Sequence, residues 1–213
     1  MEKIKQKYNI FKQKQKQKKD TKMKTLIIVD MQNDFLTGPL GNEHCRSAIS
    51  GVVDLVKNEK WDMVFATRDT HTGNYMKTLE GEKLPVVHCV KNTEGWQLNE
   101  EIKKVIIDND LNFTEVDKPT FGSIDLHKSI MDEYRWTYGQ QAAEMLGRGA
   151  DFEFHVCGVC TSICVLANVV LLRACWPDAK IIVHANACGD VTKEMHEAAK
   201  ICFAAQQCEV VGE

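Results

Sequence analysis

From Thr25 onward the chain alternates short apolar runs with longer segments whose apolar residues recur at helical spacing. TLIIVD (25–30) is β-branched and almost wholly apolar, the pattern of a strand buried on both faces rather than one. MVFAT (63–67), FTEVD (113–117), FEFHVCG (152–158), KIIVHAN (180–186) and CEVV (208–211) repeat that kind of run. Between them, residues 47–57 carry Ile49, Val52, Val53 and Val56 on one helical stripe. Further helices are predicted over 100–107, 125–148 with a break near 136–139, 162–174 and 191–205. Strands alternating with helices predict an α/β fold of three layers, α/β/α, around a mostly parallel central sheet.

The first 23 residues do not fit that rhythm. FKQKQKQKK (11–19) alternates Lys with Gln and has no face to bury, so residues 1–23 are expected to form a disordered basic tail ahead of one domain over 24–213. The tail also changes the reading of charge. Residues 1–24 hold ten lysines against Glu2 and Asp20, about +8, whereas the whole chain is −3, which leaves the body near −11. An acidic body argues against a nucleic-acid surface, and no apolar run approaches the roughly 18 residues of a membrane span. Nine cysteines, an odd number lying mostly in apolar runs without a secretory signal before them, suggest reduced core thiols and a cytoplasmic protein. A homo-oligomer is left open, and a small molecule is the expected partner.

In parallel α/β sheets ligands bind outside the carboxyl ends of the strands. Asp30 ends the first strand, Asp69 follows the second, Lys118 ends the third, and Cys164 lies just beyond the fourth, in the turn into a helix. Each alone has an ordinary explanation: a strand-end cap, a solvated lysine, a core thiol. Together they place an acid, a base and a nucleophile on one edge. A cysteine at a helix N-terminus also meets N–H groups that favour a thiolate and a developing oxyanion. Asp69 and His71 stand two residues apart, on one side of an extended segment. With His88 they make a two-His-one-carboxylate set suited to a divalent metal such as zinc, iron or manganese. Spacing alone leaves open whether the three converge, and His88 would otherwise read as a hydrogen-bonded core histidine within the apolar run 86–90.

VDMQNDF (29–35), VDKPTFGS (116–123) and GVCTSICV (158–165), in that order, resemble the three signature segments of the isochorismatase-like cysteine hydrolases. The resemblance covers residue 24 to the C-terminus and implies that family's fold. It puts Asp30 at the acid/base position, Lys118 at the triad lysine and Cys164 at the nucleophile. It further implies a cis peptide at Val159-Cys160 and an oxyanion hole made by the backbone N–H groups of Cys160 and Cys164. RDTH (68–71) and LPVVHCV (84–90) look like the metal-binding segments of the nicotinamidase branch, which makes Asp69, His71 and His88 its ligands.

The resemblance implies a metal-assisted amidase that forms a thioester, most naturally converting nicotinamide to nicotinate and ammonia. Three departures qualify it. Ser162 stands where the family usually has Asp. Thr70 stands where nicotinamidases usually have Trp, and Gly73-Asn74-Tyr75 replaces a further His and Ser-Phe. LPVVHCV lacks an aromatic to stack on a pyridine ring, a role left to Phe35 or Trp96. The same triad on another small amide, an N-carbamoyl compound or ureide, is the alternative. A redox or zinc module built on Cys157-Gly-Val-Cys160, or a non-catalytic binding protein on the same fold, belongs to other classes.

Overall fold

The computed structural model describes residues 22–140 and 147–212. The Lys/Gln tail through residue 21 and the continuation of the predicted 125–148 helix over 141–146 lie outside the described residues.

Six strands form one parallel sheet: β1 (Met23–Val29), β2 (Met63–Asp69), β3 (Phe113–Lys118), β4 (Phe152–Val159), β5 (Lys180–Gly189) and β6 (Glu209–Val211). Their order across the sheet is β3-β2-β1-β4-β5-β6. The chain steps outward from β1 in one direction through β3, then returns to β4 and steps outward the other way. The carboxyl ends of β1 and β4 therefore flank the switch point, where the two diverging connections leave a crevice. Leu26, Ile27, Ile28 and Val29 are all fully buried, as expected for a central strand covered on both faces.

The longer helices are α2 (Glu43–Asn58), α4 (Glu100–Asp108), α5 (Leu126–Tyr138), α6 (Leu166–Cys175) and α7 (Lys193–Ala205); α1 (Asn33–Leu36) and α3 (Leu79–Lys83) are short. With crossovers of the usual right hand, α2 and α4 share one face of the sheet and α5, α6 and α7 the other; α2 packs against α4, and α6 against α7. Asn42 caps α2 by accepting from Cys45 N at 2.8 Å, and Asn99 caps α4 by accepting from Glu101 N and Ile102 N. Gly51 lets α2 lie on β5: a Cβ there would fall 2.5 Å from Asn186 O. The predicted break near 136–139 is the end of α5, where Gly139 adopts φ 92°. The helix predicted from Ser162 opens as a π-helical turn, Thr161–Val165, before α6. Among the described residues no helix is long and apolar enough to cross a membrane.

Candidate active site

Strand register decides which side chains meet at the carboxyl edge. Val29 of β1 pairs with Thr67 of β2 on one side and Gly158 of β4 on the other, and Asp69 pairs with Lys118 of β3. Asp30, one residue past β1, turns at φ 50°, and its N–H donates to Thr67 O at 3.1 Å. Its carboxylate is fully buried. Oδ1 accepts from the Thr67 hydroxyl at 2.7 Å, and Oδ2 lies 2.6 Å from Lys118 Nζ. Lys118 is 1% exposed; Nζ also donates to Thr120 O at 3.0 Å and lies 3.7 Å from Asp69 Oδ1. A lysine so buried persists because carboxylates surround it.

Cys164 sits inside the π-helical turn, buried, with Asp30, Lys118 and Asp69 as its charged neighbours. The three triad residues thus meet, each brought from a different strand end. Burial raises the proton affinity of Asp30 against the opposing charge of Lys118. Burial would strip the Lys118 proton, but Asp30, Cys164 and Asp69 hold it on well above the usual lysine range. Burial, followed by the neighbouring Asp30 charge, pushes the Cys164 thiol well up. The helix terminus was expected to favour a thiolate; burial and Asp30 outweigh it, so the resting sulfur keeps its proton beside a strengthened base.

The loop that carries Cys164 is held from several sides. The Val159-Cys160 peptide is cis. Gly158, at φ 121°, presses so closely on β1 that a Cβ would fall 2.1 Å from Val29 O. Asp190, fully buried beyond β5, accepts from Ser162 N at 2.7 Å and Ser162 Oγ at 3.1 Å. Ser162 replaces the family's usual Asp, and here a carboxylate from just beyond the next strand satisfies the Ser162 N–H of that turn. Asn168, one turn beyond Cys164, donates to Cys164 O at 2.8 Å and accepts from Ser123 N at 2.9 Å. It ties the helix that follows Cys164 to the segment that follows Lys118.

Beside the triad, Asp69, His71 and His88 converge. His71 N donates to Cys89 O and Lys91 N to His71 O, both at 2.9 Å, so the 84–90 segment runs as a short parallel bridge beside the end of β2. Gln32 fixes Asp69 through its backbone, accepting from Asp69 N at 2.7 Å and donating to Asp69 O at 2.8 Å. Asp69 Oδ2 lies 2.8 Å from His71 Nε2 and 3.3 Å from His88 Nε2. Glu80 on α3, unforeseen from sequence, completes the group, with Oε1 at 3.6 and 3.8 Å from the same two nitrogens. One ligand atom from each of the four residues lies within 4.8 Å of every other.

The donor set suits a divalent cation. His88 Nδ1 lies 2.7 Å from Val86 O, which directs its proton there and leaves Nε2 facing the cluster. His71 Nε2 is buried without a hydrogen-bond partner despite its nearness to Asp69, the state of a nitrogen aimed at a shared focus. Burial and the adjacent Asp69 raise Glu80's proton affinity, the repulsion that a bound cation relieves. Burial would raise Asp69 too, but His71, His88 and Lys118 hold it well below the usual carboxylate range. His88 is therefore more than the core histidine its apolar run suggested.

Phe35 and Trp96 border this cluster differently. Phe35 meets the His88 ring edge-on at 5.5 Å. Trp96 donates from Nε1 to Thr70 Oγ1 at 2.8 Å, and the Arg68 guanidinium covers one ring face at 3.8 Å. Tyr75, in the stretch where the family pattern is missing, packs its ring 4.5 Å from His71 and 4.9 Å from His88. Cys157 is fully buried in β4, its thiol aimed at Ile27 O. The one metal-competent group found among the described residues contains no cysteine, so the Cys157/Cys160 pair makes no zinc site.

The isochorismatase domain model matches residues 24–212. The nicotinamidase of Saccharomyces cerevisiae is 28% identical over 189 aligned positions, taking in 70% of this chain and 80% of that protein. Among solved structures, a nicotinamidase from Bacillus subtilis superposes with a TM-score of 0.70 at 24% identity, over 90% of this chain and 99% of the other. A pyrazinamidase of Pyrococcus horikoshii in complex with zinc superposes at 0.63 and 22% identity, over 90% and 99%. A family match spanning nearly the whole described domain leads to one assignment: the protein belongs to the isochorismatase family.

Proposed function

We propose that the protein hydrolyses a small primary amide, nicotinamide first among them, to the carboxylate and ammonia through a thioester on Cys164. The observation that carries this reading is one buried carboxylate, Asp30, paired with the Lys118 ammonium and beside the Cys164 thiol, next to a four-donor cluster able to hold a metal. Zinc, iron or manganese held by Asp69, His71, Glu80 and His88 would supply a Lewis-acid anchor for a ring nitrogen or other lone pair of the substrate.

Asp30 takes the Cys164 proton as the substrate carbonyl arrives, and the sulfur adds to that carbon. Lys118 keeps its own proton and balances the charge that Asp30 and the sulfur exchange. The backbone N–H groups of Cys160 and Cys164 receive the oxyanion. Asp30 then gives its proton to the departing ammonia. The same carboxylate next draws a proton from water, which attacks the thioester and frees the carboxylate product. Burial on every side raises Asp30 toward the range where one group can serve as both base and acid.

Phe35 and Tyr75, which line the cluster, support an aromatic substrate ring near the metal position. Ammonia release from nicotinamide, pyrazinamide, N-carbamoyl compounds and ureides, with metal content measured on the same sample, tests the reading. Nicotinamide should be turned over fastest; an ureide or N-carbamoyl compound turned over faster, or no ammonia from any of them by metal-loaded protein, would overturn it.

A further inference from the structure

In VDMQNDF, polar residues stand at alternate positions 30, 32 and 34. Asp30 belongs to the triad, and Gln32 grips the backbone of Asp69 from both sides. Asp34, in α1, reaches the loop that carries His88: its Oδ2 accepts from the N–H of Cys89, the next residue, at 2.7 Å. The carboxylate is held in place for this contact. Asp34 N donates to Gly95 O at 3.0 Å, and Leu40 N donates to Asp34 O at 3.1 Å. Gly38 and Gly95 close on the side chain so tightly that a Cβ at either would run into Asp34 Oδ1.

Cys89 needs that grip. It is fully buried, and its backbone turns at φ 46°, a left-handed conformation that residues with a side chain adopt seldom and at a cost. Its carbonyl accepts from His71 N at 2.9 Å. The N side of this one residue adjoins His88 while its carbonyl fastens His71, so the turn at Cys89 sets two of the four donors at once.

We propose that Asp34 is a positioning residue for the metal cluster: by taking the Cys89 N–H it keeps Cys89 in the left-handed turn that aims both histidines at a shared ion. Without the carboxylate the buried N–H loses its acceptor, and the peptide between His88 and Cys89 is free to rotate. Rotation carries His88 Nε2 away from Asp69 Oδ2, 3.3 Å from it in the structure, and slackens the bond between His71 N and Cys89 O. All four donors remain in the chain, but their preset arrangement is lost. The proposal rests on the metal-binding part of the function proposed above and on none of its bond-making steps.

The test strips the full chain of metal with a chelator. It then measures zinc affinity by competition with a chromogenic chelator, together with the thermal midpoint of the apo protein. Asp34→Ala should bind zinc about ten- to a hundredfold more weakly than the parent. Asp34→Ser, too short to reach Cys89 N, serves if the alanine variant folds poorly. Asp34→Asn keeps an oxygen for the Cys89 N–H and should stay within about threefold of the parent. Asp34→Ala combined with Cys89→Gly should recover to within about threefold as well, since glycine holds a positive φ unaided. Iodoacetamide should alkylate Cys164 at close to the parent rate in every variant, which separates a displaced cluster from a loosened fold. A role confined to stability would lower the apo midpoint of Asp34→Ala and leave its zinc affinity unchanged, and that result would overturn the proposal. So would Asp34→Asn as weak as Asp34→Ala, or a double variant no tighter than Asp34→Ala. A parent that binds zinc yet releases ammonia from no amide would sink the amidase reading while this one stands; a parent that takes up neither zinc nor manganese would overturn both.

Discussion

The triad and the four-donor cluster share Asp69 as a border and yet are built in opposite ways. Asp30 follows the central strand β1, Lys118 ends the edge strand β3, and Cys164 follows β4 by five residues, so sheet register largely sets their separations. The cluster takes only Asp69 from a strand. His71, Glu80 and His88 come from a connection of some thirty residues that doubles back on itself, fastened by the bridge between His71 and Val90. On the function proposed above, chemistry that needs fixed proton paths would occupy the strand-borne part, while a substrate-anchoring ion could draw on the loop because an ion cross-links its ligands. The two halves should therefore fail differently.

The largest expected effect falls on the triad. Cys164→Ala should reduce turnover by about four orders of magnitude or more, as removing a nucleophile does when the remaining groups can only bind. Metal content should be unchanged, since Cys164 is not one of the four donors. Ammonia release together with elemental analysis checks both; a variant that lost its ion as well would show that the halves are not separable.

His71→Ala should break the other half. The ion should be lost and kcat/KM should fall about a hundredfold or more, chiefly through binding. Cys164 should still react with iodoacetamide at close to the parent rate, because its proton is governed by Asp30 and Lys118. If alkylation slowed with the loss of metal, the nucleophile would depend on the cluster and the comparison would collapse. Glu80→Gln is milder: it keeps an oxygen in place but removes the charge, so metal affinity should drop about tenfold while turnover at saturating metal stays within a few-fold. An unchanged affinity would leave Glu80 a neighbour and not a ligand.

The same contrast explains what the sequence made legible. Strands and triad could be read because β-branched runs such as TLIIVD mark buried strands, and parallel topology then forces Asp30 and Lys118 to one edge. The three metal residues could be proposed from their types but not assembled, since no local rule brings residue 88 back to residue 71. Glu80 escaped notice because α3 is a single five-residue turn in a polar stretch, held by Thr78 accepting from Gly81 N, with too few residues to show periodicity. Asp190 and Asn168 were invisible for a related reason. Their work is to satisfy backbone groups of the Cys160–Cys164 loop, and that demand arises only once the loop is folded. Ser162 marked a departure from the family pattern, and only the position of Asp190 gives it a physical meaning.

The smallest effect should sharpen the comparison most, because it acts inside the rigid half without removing any reacting group. The Thr67 hydroxyl donates to Asp30 Oδ1 at 2.7 Å and so favours the carboxylate over the acid. Thr67→Val keeps the shape of the side chain and deletes that donor, which should raise Asp30's proton affinity further and cost about 1 kcal/mol of stability. The first step needs Asp30 unprotonated, so the rate falls as pH drops through the Asp30 pKa, and raising that pKa must move the acid limb of kcat/KM to higher pH. The expected displacement is under about one pH unit, with a few-fold lower rate on the acid side and little change on the neutral plateau. Metal binding should not respond, since Thr67 is not one of the four donors. A pH profile of kcat/KM for parent and variant reads this directly. A limb that stayed in place, or moved toward acid, would mean that a group other than Asp30 governs the proton, and the strand-borne half would lose its base.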